Sequence, residues 1–258
     1  MFERDALKKK LLSFYDILAL SCRVFQAAGR PIVLVTLIIA TPFNMIYSIA
    51  AFGSFAGDTR TEKIWLMVIA LSLRFVAFIF SLLSTMAIAI MVENLFLNKK
   101  ADFSEAFQQA YSKWRSGVST SLLALLIILG YTLLLIVPGV IWGVYYAFVV
   151  YVVILRNKTG KAALAYSKSL VAGRWGTLFV IYLGLSIVLG FIAGVSGFLS
   201  KGLPNNFFLS LIGLSLRSVL ESLYAVAGTI LFLNFELVKN TSNTHTPSGK
   251  EGAGSEKS

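Results

Sequence analysis

Apolar residues run almost unbroken through 31–55, 64–97, 118–137, 140–155, 175–199 and 207–238, and polar residues collect between these runs. At ~1.5 Å per residue, about 20 apolar residues cross the ~30 Å hydrocarbon core of a bilayer. Each run therefore reads as a membrane-spanning helix, with 140–155 slightly short and Arg156 snorkelling to the surface. Three of the intervening stretches follow a different period. In 4–28, Leu7, Leu11, Phe14, Leu18, Cys22 and Phe25 step by three and four residues, with Lys9, Ser13, Asp16 and Arg23 opposite. That spacing predicts an amphipathic helix, lying either along the membrane or on the protein's own cytoplasmic face. In 102–116, Phe103, Phe107, Tyr111 and Trp114 form such a stripe. Asp102 is placed to cap that helix, with Glu105 three residues on as in a capping box. The third stretch, 159–173, resembles the second locally, since Ala110-Tyr111-Ser112-Lys113 returns as Ala165-Tyr166-Ser167-Lys168.

Glycine and proline punctuate these elements. Gly29-Arg30-Pro31 ends the first amphipathic helix, and Pro31 suits the first turn of the span that follows. Pro138-Gly139 reads as the turn of a hairpin between the third and fourth spans. Gly190 and Gly194 make a GxxxG pair on the fifth, a face for close helix contact. The pattern predicts an all-α, polytopic helical membrane protein with six transmembrane helices in three hairpins. Each hairpin is preceded by an amphipathic cytoplasmic surface helix. Residues 1–239 form a single membrane domain, and 240–258, rich in Ser, Thr, Gly and Lys, form a disordered tail. The three units run in the same direction, unlike the inverted repeats common in secondary transporters.

Composition supports the membrane class. The chain is 57% hydrophobic and 14% charged, with a mean hydropathy of +0.79, which leaves too little polar surface to cover a soluble globule. Its formal net charge of +11 could suggest nucleic acid, but the positions of the charges exclude that partner. Lys and Arg cluster in 1–30, 99–115, 156–174 and beyond 239, whereas the alternate connections hold only Arg60, Lys63 and Lys201. The positive-inside rule then places both termini in the cytoplasm. Basic surface helices favour anionic lipid headgroups as partners. A single cysteine, Cys22, excludes an intrachain disulfide and reads as a small buried residue or a lipidation site.

Val137-Pro138-Gly139-Val140-Ile141-Trp142, the aromatic-rich 145–151, Ala162-Ala163-Leu164, Ser169-Leu170 and Gly173-Arg174-Trp175 follow one another along the middle third. This succession resembles the core signature of the YciC-like integral membrane proteins. It is also similar to the membrane domain fused to some glycerophosphoryl diester phosphodiesterases. The motif residues are Pro138, Gly139, Trp142, Ser169, Gly173 and Trp175. The chain departs from the pattern at Arg156-Asn157-Lys158-Thr159-Gly160, where an acidic loop is usual. The resemblance implies a six-span protein of the bacterial cytoplasmic membrane with no defined molecular activity.

Catalytic chemistry finds little support in the sequence. The one histidine, His245, lies in the tail, and no metal-ligand spacing, GxSxG, HExxH or P-loop pattern occurs. No metal or cofactor is implied. Three charges inside spans stand out instead: Arg74 in the second, Arg217 and Glu221 in the sixth. A charge at the bilayer centre costs at least ~2.5–3.5 kcal/mol, so each needs a partner. Arg217 and Glu221, four residues apart, can pair on one helix face. They read as an ion cluster fixing register, or as a polar pathway or headgroup site. Thr41, Asn44 and Ser48 with Ser72, Ser81 and Ser84 read as cavity lining or as helix-packing hydrogen bonds. The sequence thus predicts a non-catalytic envelope protein acting through lipids, a protein partner or self-association. The alternative is a small-molecule or lipid transporter built on the charge cluster.

Overall fold

A computed structural model describes residues 7, 11–40, 42–43, 46, 59–201 and 207–244, with side chains at 40, 193, 195–201, 207–218 and 242–244 outside that description. All regular structure among these residues is helical. Helix α1, Phe14–Val35, continues as a π-helical segment, Thr36–Ala40. Then come α2, Arg60–Phe96; α3, Phe103–Ser112; α4, Trp114–Leu134; α5, Ile136–Tyr145; and α6, Val149–Arg156. Helices α7, Gly160–Val171; α8, Trp175–Lys201; and α9, Phe207–Thr244, complete the chain. Among the described residues six stretches are long and apolar enough to cross a membrane, the first being Phe14–Ile39 and the fourth α5 and α6 in tandem. The fold is that of a polytopic helical membrane protein.

Leu7 is helical and 11–13 are not, so the stretch predicted as one helix over 4–28 is broken before α1. Helix α1 starts at Phe14, where the Ser13 side chain and Asp16 close a reciprocal capping box at 3.4 and 3.0 Å. Residues expected on a solvated face therefore cap the helix instead. The buried face is Ile17, Ser21, Val24 and Ala28, one residue round from the predicted stripe, and Cys22 is exposed. Ala28 leaves helical geometry (φ −135°, ψ 24°), so the chain kinks there. Pro31, three residues on, lacks the amide that a continuous helix would need. The predicted polar positions Thr41, Asn44 and Ser48 lie outside the described residues, as does the tail beyond Thr244.

The hairpin turn also moves. Leu135 is the extended residue between α4 and α5 (φ −162°, ψ 140°), so Pro138 and Gly139 sit in the first turn of α5. A first-turn amide has no partner within its helix, so Pro138 fits there without loss. Gly139 serves close approach: a Cβ there would come within 2.0 Å of Thr132 Oγ1 and 2.9 Å of its Cα. The tandem span then breaks between Tyr145 and Val149 before α6 resumes.

Burial is uneven along the spans. In α2, Leu82–Val92 is almost wholly buried, whereas Trp65, Met67, Leu71 and Phe75 are exposed. Ala225–Phe235 of α9 and Val149–Ile154 of α6 pack against the buried half. Phe148 stands edge-on to Phe232 and Phe235 at 5.7 and 5.5 Å between centroids, and Tyr151 stacks on Phe232 at 5.9 Å. Lipid tails are as apolar as leucine, so within a bilayer this close packing, rather than water exclusion, holds the helices together. Gly190 and Gly194, expected at such a contact, are exposed, and a Cβ at either would meet open space. Around Gly190 the exposed apolar residues Ile187 and Phe191 mark the face of α8 turned away from the bundle.

Candidate functional site

Two polar features lie inside the packed half. One is a cavity of about 250 Å³ between the π-helical segment, α2, α6 and α9. Thr36 enters at the junction of α1 and the π-helical segment. Ser81, Ser84 and Thr85 enter from α2, three and four residues apart and so on one face. Tyr151 closes the α6 side, and Glu221, Ser222 and Tyr224 complete the wall from α9. Thr36, Ser84, Tyr151 and Ser222 are buried, whereas Tyr224 is 36% exposed and stands at the rim.

The wall hydroxyls are oriented by their own helices. Thr36 Oγ1 donates to the Ile32 carbonyl at 3.1 Å, Thr85 Oγ1 to Ser81 at 3.0 Å and Ser222 Oγ to Val219 at 2.7 Å. Such bonds satisfy a hydroxyl inside a bilayer without a partner helix. Gly228 keeps Tyr151 in place, since a Cβ there would lie 2.2 Å from the phenol oxygen and 3.3 Å from that of Tyr182.

The second feature is an ion cluster centred on Arg156. Its Nε donates to Glu236 Oε1 at 2.6 Å and its Nη2 to Glu236 Oε2, a two-pronged pairing. Its Nη1 donates to Glu93 Oε1 and to the Leu155 carbonyl, each at 2.8 Å. The planar guanidinium suits this fork geometry, which a lysine could not reproduce. Arg156 is thus not at a free surface, as its position at the end of a short span suggests. It joins the end of α6 to α2 and α9. Tyr166 of α7 adds a hydrogen bond to Glu236 Oε1 at 2.7 Å. Burial first, and then that hydrogen bond, push the Tyr166 phenol up to about 12.

Phe232 links the cavity wall to the cluster. Tyr151 stacks on one part of its ring environment, and the Arg156 guanidinium lies 5.4 Å from its centroid. The cluster carries one cation and two carboxylates, and the ring's negative face favours the cation.

Glu221 is in the cavity wall, with Ser81 and Ser84. Arg74 is exposed, about 10 Å along α2 from Ser81 at ~1.5 Å per residue. Ser72, also exposed, donates to its own helix at Val68. Arg217 lies one turn before Glu221 on α9, and its side chain is outside the described set. The motif residues of the middle third hold α7 and the start of α8 against the hairpin. Trp175 Nε1 donates to the Ile141 carbonyl at 3.2 Å, and Lys168 Nζ sits 4.5 Å from the Trp142 ring centroid. Trp142 stacks on Tyr131, and Ser169 accepts from Lys239 at 3.0 Å through both its carbonyl and its hydroxyl. Gly173 takes φ +79°, a conformation that side chains disfavour, and so makes the turn between α7 and α8. Neither Glu93 nor Glu236 stood out in the sequence, because each lies at the end of an apolar run and looks like a boundary charge.

No protein-family model, curated protein or solved structure matches the chain.

Proposed function

We propose that the chain is a non-catalytic integral membrane protein of the bacterial envelope that holds a small polar or amphiphilic molecule between its spans. The observation that carries this reading is the cavity of about 250 Å³ with hydroxyls and Glu221 in its wall. Ligand sites are concave, with a few convergent polar groups. Around it the buried halves of α2, α6 and α9 pack mainly through apolar side chains. The resemblance to YciC-like proteins supports the cytoplasmic membrane, and the alternation of basic clusters supports cytoplasmic termini. Membrane lipids are the nearest source of such a molecule, and a protein partner or second copy would act on the exposed faces.

The test is copurification. Wild type extracted in a mild detergent should carry a specific small molecule or lipid, identified by mass spectrometry. Ser84→Leu and Ala225→Phe, which fill the cavity, should lose it while eluting as monodisperse protein. Equal retention by the folded filled variants would overturn the reading. A carrier is the second reading, favoured by the placement of Glu221 in the wall, and it requires Glu221→Gln to stop substrate movement at unchanged abundance.

A further inference from the structure

The chemistry of the cavity wall narrows the class of molecule it accepts, an inference that rests on the cavity being a binding site. A hydroxyl has one proton to donate and two lone pairs. Thr36, Thr85 and Ser222 each commit that proton to a carbonyl of their own helix, so towards the cavity they act only as acceptors. Glu221, when ionised, also only accepts. Ser81, Ser84 and the phenols of Tyr151 and Tyr224 can serve either way, and no Lys, Arg or His stands among the described lining residues. The wall is therefore biased towards accepting hydrogen bonds, whether or not Glu221 is engaged elsewhere in the chain.

An anion such as phosphate or carboxylate would meet mainly acceptor oxygens at low dielectric, and no cation stands among the described lining residues. A cation with several donors meets complementary groups. Size excludes a bare ion: a water occupies ≈ 30 Å³ of liquid, so about 250 Å³ holds a small organic group or several waters. One wall carboxylate is also too few for a divalent metal, which takes several oxygen ligands. We propose that the cavity holds a primary ammonium group, carried either by a small free amine or by the headgroup of an amine lipid.

Purified wild type, stripped of lipid in detergent, is melted with ethanolammonium, with neutral ethylene glycol and with glycolate. In parallel it is placed in nanodiscs of phosphatidylglycerol with or without phosphatidylethanolamine. A saturable rise in melting temperature with ethanolammonium, lost in Ser84→Leu and in Thr85→Val with Ser222→Ala, supports the free-amine source. A rise only with phosphatidylethanolamine, lost in the same variants, supports the lipid source. Equal or larger effects of glycolate or ethylene glycol, or no effect in either arm, overturn the proposal. That failure is distinct from failure of the binding reading, which depends only on whether cavity-filling variants lose the copurifying molecule.

Discussion

Arg156 and Glu236 form a two-pronged ion pair that joins the end of α6 to α9, with Glu236 only 5% exposed. Losing one partner of a buried pair costs about 3–5 kcal/mol, because the other charge is left unsatisfied. Arg156→Met should therefore lower the melting temperature in detergent substantially and reduce accumulation in membranes. Arg156→Met with Glu236→Met should recover part of that loss, since the more deeply buried orphan carboxylate is gone. A single variant that melts like wild type would remove the cluster from the account.

Two glycines permit close approach in different ways, and rescue should tell them apart. At Gly228 the obstacle to a Cβ is the Tyr151 phenol oxygen, whereas at Gly139 it includes the Thr132 backbone. Overpacking typically costs about 1–3 kcal/mol. Gly228→Ala should destabilise, and Tyr151→Phe should restore most of the loss. Gly139→Ala should destabilise without rescue by Thr132→Ala, because the Cα remains in the way. Melting temperatures of the four variants decide the matter.

Asn234 fastens the N-terminal segment. Fully buried, it donates to the Leu7 carbonyl at 2.8 Å and accepts from the Leu12 amide at 3.1 Å. Asn234→Leu leaves both backbone groups without these bonds, a penalty of about 1–3 kcal/mol for each that stays buried. The Leu12 amide should then exchange hydrogen much faster, while amides within α2 keep their protection. Unchanged exchange at Leu12 would contradict this role.

Tyr166 gives a pH signature. Its folded value is raised from 10.0 to about 12, so the neutral phenol is favoured in the fold. The stability it contributes is present below pH about 10 and is lost as pH rises towards about 12, where the phenolate would face Glu236. In an absorbance titration of phenolate formation, wild type minus Tyr166→Phe should show a step near pH 12. A step near 10 would mean that Tyr166 is neither buried in this way nor bonded to Glu236.

Span number and helical class were legible because bilayer thickness imposes long apolar runs, and these survive any detail of packing. Position along a helix was less so. Capping by Ser13 set where α1 begins, and an extended Leu135 set where α4 ends, and neither residue type announces this by itself. Glu221 was visible as a charge inside a span. Glu93, Arg156 and Glu236 come together from α2, α6 and α9, a meeting that periodicity within one helix does not encode. The donor bias of the cavity was hidden too, since it depends on which carbonyl each hydroxyl meets.

The central claim, an intramembrane cavity selective for a cationic donor, is tested most directly by thiol labelling from within. Ser84→Cys in a Cys22→Ser background puts one thiol in the wall. It is reacted with 2-aminoethyl and 2-sulfonatoethyl methanethiosulfonate, and each rate is normalised to that of a free thiol. The account predicts that the ammonium reagent reacts at least about tenfold faster (about 1.4 kcal/mol), and that Thr85→Val with Ser222→Ala narrows the ratio. Equal rates, a faster sulfonate, or no reaction with either reagent would contradict it.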